Sequence, residues 1–366
     1  MSKITAIGTA LPTHVHAQDN ICAFAKNIHC NNDIEKRKLQ FLYHQSGINT
    51  RYSVLPDYSS SVDDRVFYPK TATLEPFPNL EKRMEVYDAH ATDLSIQAIE
   101  NCIAGKLEKK DITHLITVSC TGMSAPGLDL AIIEKMQLPV TIFRTSVNFM
   151  GCYAAIHALK LADALCNNAQ NANVIIVCTE LCTLHFQKEN TADNITATLL
   201  FADGSSAALI QPSTHATKGI LLKSFFSQIA FKGKKDMSWQ LSSKGFLMNL
   251  SGYIPNLVKE DFNALVQNAL QANQLLISDV THWCIHPGGK KIIEAIEKST
   301  GVATEKFEDS YNILSKYGNM SSATILFVLQ KILTNLQTAP TTNTAILFGA
   351  AFGPGLTMET FTATYA

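Results

Sequence analysis

The chain has 366 residues, 46% of them hydrophobic and 17% charged, and a formal net charge of -1. It can bury one large core or two of medium size. Near-neutrality without a basic run excludes binding along a nucleic-acid backbone, and no apolar run reaches the roughly 18 residues a membrane span needs.

In chain order, Met1 to Gly8 reads as a short strand rather than a leader peptide. Thr92–Ala104 follows as a helix, His114–Val118 as a buried strand, Gly151–Cys166 as a helix and Val174–Cys178 and Ala207–Ile210 as buried strands. Lys232–Asp236 reads as a solvated turn. Helices are expected over Leu257–Ala272, Lys290–Thr300 and Ser321–Leu336, and a last buried strand over Thr344–Phe348. This alternation predicts a layered α/β fold. Each half carries a helix, a strand and a loop of small residues, Ala202–Ala208 in one and Phe348–Gly355 in the other. A boundary near Gln211–Thr214 divides the chain into 1–213 and 214–366.

The nine cysteines are odd in number and irregular in spacing, which fits reduced thiols in the cytoplasm better than a disulfide framework. Cys178, Cys182 and His185 have a C-x3-C-x2-H spacing, but a zinc site needs a fourth ligand and no second cluster follows. No metal and no cofactor are expected. Most free cysteines are small buried side chains. Cys152 differs: it lies in Asn148-Phe-Met-Gly-Cys-Tyr-Ala-Ala155, with Gly151 for a tight turn and good helix formers after it. A thiol at a helix N-terminus gains thiolate character from the dipole, and a nearby imidazole would add to it. His286 leaves an apolar strand and precedes Pro287-Gly288-Gly289, where backbone can approach a ligand closely. His282, four residues earlier, is the competing histidine. Asn319 lies in Tyr317-Gly-Asn-Met-Ser-Ser-Ala323, with Ser321 or Ser322 available as a helix N-cap. An uncharged amide can donate to an enolate oxygen without quenching the carbanion.

These three motifs together resemble the chalcone synthase-like type III polyketide synthases, and the run Glu180-Leu-Cys-Thr-Leu184 resembles the bacterial members. The resemblance spans both halves and implies the thiolase fold, two related halves in a five-layer αβαβα arrangement. It implies that Cys152 takes an acyl group from an acyl-CoA starter, while His286 and Asn319 bind malonyl-CoA and promote its decarboxylation. It assigns Phe201 as a gatekeeper and Gly353, Pro354 and Gly355 to a loop shaping the cavity wall, with Ala351 replacing the loop's first glycine. Met248 stands where the plant enzymes have a second gatekeeper phenylalanine, Cys182 where many have threonine, and Trp239 where they have a small residue. Arg51 is the retained member of a set of basic residues that contact CoA in the plant enzymes; others are replaced near Gln45 and Thr50, where Lys36, Arg37, Lys38 or Lys291 would compensate. A homodimer is implied as well.

Met248 favours a fatty acyl starter and an alkylpyrone or alkylresorcinol product. The rival is malonyl-CoA as its own starter, which Cys182 would suit. The nearest other class is a ketoacyl-ACP synthase of the chain-initiating type, by analogy of fold. A papain-like protease shares the residue order but lacks the local signature around the cysteine. The non-enzyme reading is an inactive scaffold or lipid carrier, which the retention of Cys152 and Asn319 argues against.

Overall fold

A computed structural model of the chain describes residues 1–215, 218–338 and 344–366. The first half carries strands β1 (Ser2–Ala10), β2 (His14–Ala17), β3 (Thr50–Ser53), β4 (His114–Ser119), β5 (Phe143–Asn148), β6 (Val174–Leu181) and β7 (Asp203–Pro212). Its helices are α1 (Gln18–His29), α2 (Asp33–Gln45), α3 (Leu80–Ile103), α4 (Leu128–Met136), α5 (Ala154–Asn168) and α6 (Ala192–Leu200). The second half adds β8 (Ile220–Ile229), β9 (Met237–Ser242), β10 (Gly245–Leu250), β11 (His282–Ile285), β12 (Ile346–Gly353) and β13 (Thr357–Tyr365). Its helices are α7 (Ile254–Gln271), α8 (Lys290–Thr300), α9 (Glu308–Tyr317) and α10 (Thr324–Thr338).

The main sheet runs β11-β12-β13-β8-β1-β7-β6-β4-β5. It is two half-sheets joined where β1 and β8 share two residue pairs, Lys3 with Leu221 and Ile4 with Ile220. Both halves repeat one pattern. β4 and β6 run parallel, and β6–β7 and β7–β1 antiparallel. β11 and β12 run parallel, and β12–β13 and β13–β8 antiparallel.

Strand residues alternate between two cores, which is why these strands read as continuous apolar runs. Val174, Ile176 and Cys178 of β6 face a central core containing α5 and α10, while Ile175 and Val177 face an outer core with α3 and α4. In β12, Leu347 and Ala351 join the central core, while Phe348, Ala350 and Phe352 join a third core with α7 and α8. The result is the five αβαβα layers. The middle layer is α5 and α10, covered by sheet on both sides, which explains their alanine-rich or wholly apolar faces.

Some boundaries differ from the sequence reading. The helix expected from Thr92 begins at Leu80, capped by Asn79, whose side chain accepts from Lys82 N–H. Its first turns are largely polar and half exposed, so apolar periodicity misses them. Neither Ser321 nor Ser322 caps α10. Ser321 takes a positive φ of 47° in a short turn, Ser322 points to Glu180, and the Met320 N–H is satisfied by the Thr324 hydroxyl. β5 has a polar, exposed sequence with no apolar run, and it forms the open edge of the sheet.

The contact between β1 and α3 sets the spacing of the first outer layer. A Cβ on Gly8 would fall 2.2 Å from the Cys102 backbone nitrogen and 2.4 Å from the Ala98 carbonyl oxygen. Backbone cannot yield as a flexible side chain can. Gly8→Ala is expected to destabilise the fold by about 1–3 kcal/mol, read as a lowered denaturant midpoint at unchanged slope.

Candidate active site

Cys152 lies two residues before α5, in a turn strained by Phe149 (φ 61°) and Gly151 (φ 86°). Gly151 is required twice over. Its φ suits glycine, and a Cβ there would meet Pro354 Cδ at 2.2 Å. Its N–H donates to the Cys120 sulfur at 2.9 Å. The turn is thus clamped between Cys120 and the Gly353-Pro354-Gly355 loop.

His286 follows β11 and is fixed by its N–H, which donates to the Ala350 carbonyl at 2.8 Å. Both ring nitrogens are buried and without a hydrogen-bond partner among the described residues. Asn319 is buried before α10. Its side-chain oxygen accepts from Ser321 N–H at 2.9 Å, which orients the amide, and its Nδ2 donates to the Gly288 carbonyl at 3.2 Å. The second Nδ2 hydrogen is the one available to the Cys152 sulfur or to a ligand oxygen. His282 lies at the start of β11, bonded to the Thr281 hydroxyl, and does not line the cavity.

Cys152, His286 and Asn319 share one cavity of about 440 Å³. Phe201, Met248, Cys182, Gly353 and Pro354 line it too, and Gly355 does not. The charged residues on its lining are Lys290, Lys291 and Glu294, all on the partly exposed first turns of α8. A smaller pocket of about 40 Å³ adjoins it, and Cys182, Phe201, Trp239 and Met248 form the shared wall.

The Arg51 expectation is corrected. Arg51 is 3% exposed and lines the smaller pocket, not the cavity that holds Cys152. Its guanidinium donates to the Thr198 and Phe201 carbonyls at 2.6 and 2.7 Å and to the Gln18 side chain at 2.9 Å. These carbonyls end α6, so Arg51 completes a helix C-terminus rather than offering a free cation to phosphate. It also holds Phe201 in place. The Phe201 segment is stitched to Asn319, which donates to Leu200 O and accepts from Ala202 N, each at 2.9 Å.

Burial, not ion pairing, dominates the electrostatics. Desolvation pushes the Cys152 thiol up to about 12, opposed by hydrogen bonds to Ser321 and Asn319. Desolvation pushes His286 down to about 3. Burial thus favours the uncharged form of each group and works against the thiolate that the helix dipole favours. His185 of the C-x3-C-x2-H spacing has both ring nitrogens engaged, one with the Thr121 carbonyl and one with Phe246 N–H, and Cys182 faces the cavity.

Sequence reasoning missed Cys120, Ser321 and Glu180. Glu180 is fully buried, accepting from Cys120 N–H and the Thr121 hydroxyl at 2.9 Å each and from the Ser322 hydroxyl at 2.5 Å. The signal was a carboxylate closing an apolar strand run, which needs partners once buried.

Two family models match the chain: "Chalcone and stilbene synthases, N-terminal domain" over residues 1–213 and the corresponding C-terminal domain over residues 222–364. Alpha-pyrone synthesis polyketide synthase-like Pks18 of Mycobacterium tuberculosis is 31% identical over 89% of this chain and 81% of its own length. Type III polyketide synthase C of Arabidopsis thaliana is 29% identical over 98% of this chain and 94% of its own. The crystal structure of PKS-I from the brown alga Ectocarpus siliculosus superposes with a TM-score of 0.92 at 26% identity, covering 100% of this chain and 98% of that one.

The effect of burial on the thiol has a measurable consequence. Iodoacetamide labelling of Cys152 should climb about tenfold per pH unit across the neutral range, since the reactive thiolate is a small and rising fraction there. Ser321→Ala, which removes a group that lowers the thiol pKa, should slow labelling at each pH. A rate that levels off in mildly acidic solution would mean a preformed thiolate–imidazolium pair.

Proposed function

The chain belongs to the chalcone and stilbene synthase family of type III polyketide synthases, acyltransferases that condense malonyl-CoA, and we propose that it extends a fatty acyl starter to an alkylpyrone or alkylresorcinol. The observation that carries the reading is the convergence of a thiol, a partnerless neutral imidazole and an oriented amide on one apolar cavity.

In this reading the Cys152 sulfur attacks the starter thioester carbonyl. The carbon–sulfur bond to CoA breaks, and the thiol proton leaves with the CoA sulfur. Malonyl-CoA then places its thioester oxygen against the free N–H groups of His286 and Asn319. Loss of carbon dioxide leaves an enolate on that oxygen. Both donors are uncharged, so they stabilise the enolate without a strong acid beside its carbon. The enolate carbon attacks the acyl-Cys152 carbonyl, a carbon–carbon bond forms and the carbon–sulfur bond to Cys152 breaks, leaving the extended chain on CoA and a thiolate that takes a proton from solvent before the next loading.

The starter preference rests on the cavity wall. Trp239 is pinned by its Nε1–H to the Cys120 carbonyl at 2.7 Å and packs edge-on against His185 and Phe246. Met248, its cross-strand partner, is the adaptable member of the partition before the smaller pocket. Trp239 also favours the second reading, malonyl-CoA as its own starter, because its indole takes up cavity space. Mass spectrometry of products from malonyl-CoA and a series of acyl-CoA starters decides between them. Pyrones or resorcinols from long acyl chains are expected, absent with Cys152→Ala and confined to shorter starters with Met248→Phe. A product made from malonyl-CoA alone would select the second reading.

We further propose that the enzyme is a homodimer joined along β5, whose exposed edge would otherwise present unpaired backbone groups to other chains. Its nine unpaired cysteines support a reducing, cytoplasmic setting. Sedimentation at micromolar concentration should give twice the chain mass, and Phe143→Asp, at a 70% exposed position on β5, should shift it toward monomer.

A further inference from the structure

The cavity is bordered by α2 and α8, and its rim carries an apolar stripe that binding of CoA phosphates does not explain. Ile34, Phe41 and Leu42 of α2 are 58%, 64% and 43% exposed. With Lys38 they fall at i, i+4, i+7 and i+8, so they make one stripe on the outer face of the helix. The opposite face is buried through Leu39 and Tyr43. Phe41 and Leu42 reach the cavity lining, and the stripe runs from there about 12 Å along the helix, at 1.5 Å per residue.

The rim is also basic in a chain of net charge -1. Lys38 lies within the stripe and Arg37 beside it, and Lys290 and Lys291 begin α8 across the opening. Arg37, Lys38 and Lys291 have no carboxylate within ion-pair distance among the described residues, and Glu294, 3.7 Å from Lys290, is the acid on that lining. Asp33 and Glu35 at the start of α2 are taken up by Lys36 and by Asn31 and Asn32. Two lysines in the first turn of α8 oppose the positive end of its dipole, a placement favoured only if something negative comes there.

Resting on the condensing reading, we propose that this rim docks an acidic acyl-carrier protein that delivers the starter on its phosphopantetheine arm. Free CoA brings phosphates but nothing to cover two helical turns of exposed isoleucine, phenylalanine and leucine. An acidic helical protein with an apolar contact face matches both the charge and the stripe. In the transfer, the Cys152 sulfur bonds to the acyl carbonyl carbon, the bond to the pantetheine sulfur breaks, and the thiol proton passes to that sulfur.

The test offers one dodecanoyl group on three thiols, an acidic acyl-carrier protein, CoA and N-acetylcysteamine, and follows acylation of Cys152 by intact-protein mass. The carrier should load Cys152 about tenfold faster than CoA at low salt, and the advantage should fall as salt rises. The double variant R37E/K38E should lose about tenfold in carrier-dependent loading and flatten the salt response, with loading from N-acetylcysteamine unchanged. Equal carrier-dependent loading by wild type and variant overturns the proposal. So does a defect confined to acyl-CoA, which would make the rim a CoA site. Loss of binding to phosphatidylglycerol vesicles with carrier transfer intact would instead assign the rim to a membrane surface. Failure of all three donors with the wild type would remove the condensing reading itself.

Discussion

Everything at the site depends on two helices whose apolar faces are buried between the half-sheets. α5 and α10 lie between the half-sheets, and both begin where the sheet ends. That geometry brings Cys152, from before α5, to Asn319, from before α10, although the two are far apart in sequence. The junction is held by a carboxylate. Glu180 at the end of β6 accepts from the Cys120–Thr121 turn on one side and from Ser322 at the start of α10 on the other. Cys120 in turn receives the Gly151 N–H. Burial pushes Glu180 up to about 7, against hydrogen bonds led by Ser322 that pull it down. The donors around it offset the cost of placing a carboxyl there.

The same burial bears on the charge state of the proposed catalytic groups. Desolvation raises an acid and lowers a base, so it drives both Cys152 and His286 to their neutral forms. A preformed ion pair would gain in thiol reactivity, but it would place an imidazolium, a competent acid, beside the carbanion that must form. Neutral donors avoid that conflict. The cations are kept on α8 at the rim, where they can meet phosphate without entering the reaction space.

The three positions that meet at the cavity were legible because each sits in a segment whose backbone demands special residues. Gly151 and Gly318 have positive φ, and Gly288 and Gly289 line the cavity beside His286. Short-range demands of that kind leave a mark in the sequence. Arg51 left a misleading one. Arginine is usually exposed, yet its partners here are carbonyls at the end of α6, far away in the chain. Glu180, Cys120 and Ser321 left little mark, because their roles come from register between distant strands. The β9–β10 hairpin was missed for the same reason as β5: its strands are polar on one side and half exposed, so no apolar run announces them.

The inner wall shows how the fold separates chemistry from selectivity. Phe201 is bound into the Asn319 bridge and backed by Arg51, and Trp239 is tied to the Cys120 carbonyl. Moving either would disturb the residues that position the nucleophile and the amide. Met248 has no such tie. It projects from a two-stranded hairpin outside the main sheet, and its unbranched side chain can change rotamer at little cost. The wall can therefore yield at Met248 while the catalytic groups stay fixed. Starter length can then change by substitution on the hairpin without altering the packing of α5 and α10 that sets the geometry of condensation.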